Sequence, residues 1–180
     1  MMEGAIEKVL LTEEEIKKRV NELAKEIEKD FPQGDLILIG VLKGSVIFVS
    51  DLMRALNLKV TMDFMAVSSY GMSSETSGIV RILKDLDFDI EGRDVIIVED
   101  IIDTGTTLKY LYEYLKARHP RTLKICCLLD KPDRRRVNIE GDYVGFKIPD
   151  AFVVGYGLDY AEMFRNLPYI GILKEDIYKK

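Results

Sequence analysis

One histidine and two cysteines are all that this 180-residue chain offers of the side chains that most often bind zinc or build nucleophile–base pairs. His119 stands alone and precedes Pro120, where a helix should end, so its expected part is a helix C-terminal cap. Histidine-based triads and zinc sites are set aside. Cys126 and Cys127 are adjacent in an apolar run. In a strand they would point to opposite faces, so neither a mutual disulfide nor a shared metal is expected. Acid–base work then falls to carboxylates, lysines, tyrosines or the cysteine pair. No apolar run is long enough to span a bilayer, and no secretory h-region follows Met1. The expectation is a soluble, cytoplasmic protein. Positive charge is not in excess either: 26 Lys and Arg against 31 Asp and Glu leave a net charge of −5. That gives no general attraction to nucleic acid or to an acidic membrane. Hydrophobic residues make up 47%, too many for a disordered chain. The length suits one domain with a sizeable core.

What is present centres on residues 95–107. Val95-Ile96-Ile97-Val98 reads as a strand buried on both faces. Glu99 and Asp100 follow, then Ile101-Ile102, Asp103 and the short loop Thr104-Gly105-Thr106-Thr107. Leu108, Leu111, Tyr112 and Leu115 recur at helical spacing, so the loop feeds a helix. A helix N-terminus offers unpaired N–H groups and the positive end of a dipole, which suits a phosphate. Gly105 permits close backbone approach, and the threonines add hydroxyl donors. Glu99 and Asp100 only accept, so they suit sugar hydroxyls or a hydrated Mg2+. The plainer alternative has Asp103 or Thr104 capping the helix and the two acids solvated at a strand end. The loop lacks the Gly-Lys-Ser/Thr ending of a P-loop and the dinucleotide-binding glycine pattern.

The rest of the chain alternates strands and helices. Thr12-Glu13-Glu14-Glu15 resembles a capping box, and Ile16, Val20, Leu23 and Ile27 mark one face of a helix ending near Phe31 to Gly34. Asp35 to Leu42 reads as a buried strand running into Lys43-Gly44-Ser45 and a helix to about Leu56. From spacing alone Lys43 is an exposed lysine beside a helix start. Leu58 to Val67 and Ile79 to Leu83 read as paired strands around a long polar stretch, 68–78, either a surface hairpin or a lid. Asp85 to Arg93 is an acidic connection with no evident chemistry. Leu123 to Asp130 is a buried strand ending in Lys131-Pro132. Arg134-Arg135-Arg136 reads as a solvated loop. Phe152-Val153-Val154 patterns as a core strand, with Asp159 a possible turn residue.

Val95 to Leu108 resembles the phosphoribosyl-pyrophosphate (PRPP) signature of the type I phosphoribosyltransferases. The flanking segments resemble the hypoxanthine-guanine branch, and the similarity covers nearly the whole chain. The resemblance implies an α/β fold: a doubly wound, mainly parallel sheet in one domain, 1–180, with a small hood built from the chain ends. It implies that Thr104, Gly105, Thr106 and Thr107 hold the 5′-phosphate. Glu99 and Asp100 would hold the ribose diol and waters of one Mg2+, and Asp159 would help bind a second. Lys43 and Gly44, after a cis Leu42–Lys43 peptide, and Arg165 would face pyrophosphate. Lys131 would donate to the purine 6-oxo group, Phe152 would stack on the base and the backbone of Val153 would read its edge. Asp103 would sit near purine N7 as general acid/base. Ser69-Tyr70 matches the family's mobile loop, which would exclude water from a cation-like transition state. Ser45 and Ala151 depart from the family pattern, where a glycine and a charged residue are often found. Relatives form dimers or tetramers, so a homo-oligomer is expected, without nucleic acid or membrane partners. Three alternatives stay open. One is a phosphoribosyltransferase for adenine, xanthine or uracil. A second is a non-catalytic PRPP-sensing or RNA-binding regulator. The third, an unrelated phosphate-ester binder, would ignore the flanking matches.

Overall fold

A computed structural model describes residues 2–70 and 79–179. Of the lid or hairpin expected over 68–78, residues 71–78 lie outside the described residues, as do the side chains of Ser69 and Tyr70.

The strands are buried because their sequences are apolar on both faces. Leu36–Leu42 (β2) and Asp94–Ile102 (β5) lie side by side in parallel, with Leu36 opposite Asp94 and Gly40 opposite Val98. Alternate side chains go to opposite layers, as strand geometry requires. Leu36, Leu38, Ile96 and Val98 pack with Ile16, Val20, Leu23 and Ile27 of α1 (Glu13–Asp30) and with Phe48, Val49 and Leu52 of α2 (Val46–Ala55). Ile37, Ile39, Val95 and Ile97 pack with Leu108, Leu111 and Leu115 of α3 (Thr106–Lys116). Each such side chain stabilises the fold by roughly 1.5–3 kcal/mol when fully buried. The capping box of α1 is present: Glu15 N donates to Thr12 Oγ1 at 3.2 Å, and Thr12 N to the Glu15 carboxylate at 2.8 Å.

The main sheet has six strands in the order β4-β3-β2-β5-β6-β7. Its remaining strands are Val60–Tyr70 (β3), Ile79–Lys84 (β4), Thr122–Asp130 (β6) and Tyr143–Lys147 (β7). All neighbours are parallel except the edge strand β4. From β2 the chain passes through α2 to β3 on one side; from β5 it passes through α3 to β6 on the other. The order therefore reverses between β2 and β5. A crevice opens at the carboxyl ends of the strands at such a switch point. Those two ends carry Lys43 and the acidic loop.

A second sheet, β1-β9-β8, joins the two ends of the chain: Ile6–Leu11 (β1), Ile170–Leu173 (β9) and Val153–Val154 (β8), all antiparallel. The expected core strand from Phe152 shrinks here to two residues, and Phe152 itself is half-buried outside it. A short apolar run looks the same whether it crosses a large sheet or edges a small one.

Two further expectations are refined. His119 does follow the helix, but the cap is made by main chain: its N–H donates to Lys116 O at 3.1 Å from a left-handed backbone with φ 56°. The acidic connection after β4 is a clamp. Asp85 accepts from the Tyr114 hydroxyl of α3 and from the Arg118 guanidinium just past its end, and Asp63 accepts from Asp87 N and the Lys84 ammonium. Cys126 and Cys127 are free, buried and on opposite faces, Cys126 in the α1/α2 layer and Cys127 in the α3 layer. Burial pushes both thiols far above their ordinary acidity range.

Candidate active site

The loop after β2 begins with a cis Leu42–Lys43 peptide, as expected. Ser45, where relatives often have glycine, is fully buried and donates from Oγ to Val41 O at 2.7 Å, closing the turn from inside. Gly44 is forced: a Cβ there would collide with the Asp100 carboxylate, and one at Gly157 would collide with the Gly44 carbonyl. The β2 loop, the end of β5 and the hood segment thus meet at van der Waals distance around Gly44.

Glu99 is buried at the end of β5 with Asp100 beside it. Burial pushes the Glu99 carboxyl well above the usual range, and the neighbouring Asp100 charge adds to this. Burial likewise raises Asp100 to about 6, although Ile101 N donates to it at 2.7 Å. Two adjacent acids held this way are incomplete without a donor or a cation. The solvated alternative for this pair is not what the fold builds.

The capping alternative fails as well. Helix α3 has Gly105 as its N-cap, at φ 82°, and no side chain caps it. Its first N–H groups are left for a ligand. Gly105 packs against Ile139 and Arg135, where a Cβ would not fit. Thr104 and Thr106 hydroxyls lie 3.4 Å apart above this terminus.

The basic run departs from the expectation of a solvated loop. Arg135 binds the Asp130 carboxylate and donates to Ile139 O at 2.6 Å and Asp103 O at 3.3 Å, pinning the acidic loop to β6. Arg134 donates from Nε to the Asp103 carboxylate at 3.0 Å. Three consecutive arginines carry no periodic signal of their partners, because those partners lie on distant strands.

Lys131, just past the end of β6, is buried. Its ammonium donates to Ala151 O at 2.7 Å, with Asp150 3.9 Å away. Burial pulls its pKa down, against the nearby charges of Asp103 and Asp150. The acceptor at 151 is backbone, so that bond is indifferent to the alanine side chain.

Lys43, Asp159, Glu162 and Arg165 form a charged cluster. Arg165 donates to Gly157 O at 2.8 Å and pairs with Asp159 at 3.1 Å and Glu162 at 3.2 Å. Glu162 also binds the Lys43 ammonium at 2.7 Å, and its N–H donates to Asp159 at 2.9 Å. Asp159 is therefore a turn residue whose two carboxylate oxygens are held by Arg165 and by the Glu162 N–H. Glu162 was not singled out from the sequence, and nothing there marks it except its place three residues after Asp159.

A cavity of about 610 Å3 brings together Asp103, Lys131, Phe152, Val153, Leu158 and Asp159, with Ile101 on its wall. Glu99, Asp100 and residues 104–107 do not line it; they sit along the acidic loop. Lys43 and Arg165 also lie outside it; Arg165 is joined to it through Asp159, and Lys43 is joined to Arg165 through Glu162. The arrangement offers a cavity with an aromatic ring, a buried cation and carboxylates, an acid pair, an uncapped helix terminus and a cluster of two cations with two acids.

The chain matches the model of the phosphoribosyl transferase domain over residues 8–161. It is 54% identical to the hypoxanthine-guanine phosphoribosyltransferase of Bacillus subtilis (strain 168), covering 99% of each chain. It is 55% identical to that of Mycobacterium avium, over 98% of this chain and 90% of the relative. A crystal structure of a hypoxanthine phosphoribosyltransferase from Staphylococcus aureus superposes with a TM-score of 0.96, at 51% identity, over 99% of this chain and 97% of that one. By sequence along its whole length and by fold, the chain belongs to the phosphoribosyl transferase family and, within it, to the hypoxanthine-guanine phosphoribosyltransferases.

Proposed function

We propose that the chain transfers the 5-phosphoribosyl group of PRPP to hypoxanthine or guanine, giving IMP or GMP and pyrophosphate. The observation that carries this is the cavity beyond the carboxyl ends of β5 and β6, where the buried Lys131 ammonium and the Phe152 ring share a slot with the Asp103 carboxylate. An ammonium can only donate, so it favours a 6-oxo over a 6-amino purine.

The bond from ribose C1 to pyrophosphate breaks and the bond from C1 to purine N9 forms. Asp103 takes the proton the base must lose, acting beside N7. Arg134 holds that carboxylate in place. The uncapped terminus of α3 and the hydroxyls of Thr104, Thr106 and Thr107 hold the 5′-phosphate, while Gly105 lets it approach. Glu99 and Asp100 accept from the ribose diol. Phe152 stacks on the base, and the Val153 main chain reads its edge. Lys43, Gly44 and Arg165 receive the leaving pyrophosphate, the guanidinium as a fork. Ser69 and Tyr70 belong to the lid. Much of the rate comes from positioning and charge neutralisation.

Mg2+ suits the donor set. Among the described residues no three acidic, histidine or cysteine side chains converge on one point. A cation that keeps its waters and takes one or two carboxylates plus phosphate oxygens fits that arrangement. Glu99, Asp100 and Asp159 are the carboxylates for it: burial raises the pKa of the first two, a cost that a bound cation would relieve, and Asp159 already pairs with the Arg165 guanidinium. When bound, Mg2+ neutralises the pyrophosphate.

The protein acts as a homodimer or homotetramer in the cytoplasm. Exposed Val46 and Ile47 on α2 support self-association, which light scattering would test. Among the described residues no helix is long and apolar enough to cross a membrane.

The test is pyrophosphate release from PRPP and Mg2+ with hypoxanthine, guanine, xanthine and adenine supplied separately. Turnover with the first two and not with adenine is expected. No turnover with any purine, despite PRPP binding, would overturn the assignment.

A further inference from the structure

The last helical turn, Glu175–Tyr178 (α4), is not used by the reaction above, yet it reaches the base slot. Glu175, Tyr178 and Lys179 line the same cavity as Lys131 and Val153. The Tyr178 ring stacks on Phe152 with centroids 4.7 Å apart and planes 23° apart. Tyr160 meets Phe152 nearly perpendicularly, at 5.7 Å and 85°, and its hydroxyl donates to Ile177 O at 3.2 Å.

The turn is moored at several points. Lys174 N donates to Ala5 O at 3.0 Å, and the Lys174 ammonium donates to Gly4 O at 2.7 Å. Leu173 N donates to Phe152 O at 2.9 Å, tying β9 to the residue that carries the ring. Phe152 needs such support. It lies just outside the two-residue strand β8, follows the small Ala151, and stays half-buried beside an open cavity. Left alone, its ring would be free to turn away.

We propose that Tyr178 is a positioning residue for the base: it backs one face of Phe152 and so presets the opposite face as a stacking surface. This rests on the assignment of the cavity to a purine. Tyr178 acts through Phe152 and touches no reacting atom. A stack of two rings fixed before the base arrives lowers the ordering cost of binding.

The test compares Tyr178→Leu and Tyr178→Phe with the unmodified chain, alone and in a Phe152→Leu background. Losing an aromatic pair should raise the KM for hypoxanthine and guanine about 3- to 10-fold. The kcat at saturating base and the KM for PRPP should stay within about twofold. Tyr178→Phe should restore the base KM, since stacking needs no hydroxyl. In the Phe152→Leu background, Tyr178→Leu should add nothing, because the ring it supports is gone. An unchanged base KM would overturn the proposal. So would a lowered one, which would mean that Tyr178 covers the face the base needs. An equal effect without Phe152 would overturn it too. If Tyr178→Leu is poorly folded, a chain ending after Ile177 serves the same comparison. An unmodified chain that turns over no purine would instead sink the assignment itself, so the two failures are distinguishable.

Discussion

Replacing Asp100 with asparagine should stabilise the ligand-free protein at high pH and leave it unchanged at low pH. Burial raises the Asp100 carboxyl from the ordinary aspartate range to about 6. A displacement of about two pH units corresponds to ~3 kcal/mol spent on ionising the group in the folded chain. Sharing that cost with Glu99, and some access to water, bring the expected gain to roughly 1–3 kcal/mol. The sign follows from the direction of the shift. With the folded pKa above the unfolded one, the stabilising contribution is whole below about pH 4 and is lost as pH rises through about 6. Asparagine does not titrate, and its carbonyl can still accept from Ile101 N. Thermal unfolding of both proteins at pH 4 and pH 8, without PRPP or Mg2+, gives the answer. The variant should melt roughly 3–10 °C higher at pH 8 and level with the wild type at pH 4. PRPP with Mg2+ should then raise the wild-type melting temperature more than that of the variant. A variant equally or less stable at pH 8 would refute the claim that this acid is held at a cost.

Other outcomes follow from the same geometry. Asp103→Asn should lower kcat by about 10²–10⁴-fold while PRPP affinity by calorimetry barely moves; full turnover would remove the acid/base role. Arg134→Ala loosens the Asp103 carboxylate across a half-exposed ion pair, so kcat should fall only about two- to fivefold, with an unchanged KM for PRPP. Lys131→Met should raise the KM for hypoxanthine by roughly tenfold or more and narrow the gap to adenine, read from kcat/KM for each base. Gly44→Ala drives a methyl into Asp100 and should cost about 1–3 kcal/mol in denaturant melts, with PRPP binding lost alongside.

The layered sheet was legible in the sequence because its strands are continuous apolar runs and its first helix carries both a capping box and a clean stripe. Residues 95–107 were legible for the same reason: strand, acids, glycine and helix succeed one another along the chain. Partners that meet only in space were not. Glu162 bridging Lys43 and Arg165, Arg135 gripping Asp130, and Lys131 buried against the Ala151 carbonyl all depend on which strands lie side by side. Local spacing reads Lys43 as exposed and the arginine run as solvated, and it is silent on Glu162. The brevity of β8 was hidden as well, since three apolar residues suit either sheet.

The adjacent cysteines make the two halves of the core separately observable. Each thiol is sealed in its own layer, one under α1 and α2 and the other under α3. Neither should react with an alkylating reagent until its layer opens. Labelling rates of single-cysteine variants, Cys126→Ala and Cys127→Ala, would therefore time the detachment of the two helical layers independently. If α3 lifts before α1 and α2, Cys127 labels first, and the face that carries the loop 104–107 is the one that yields first.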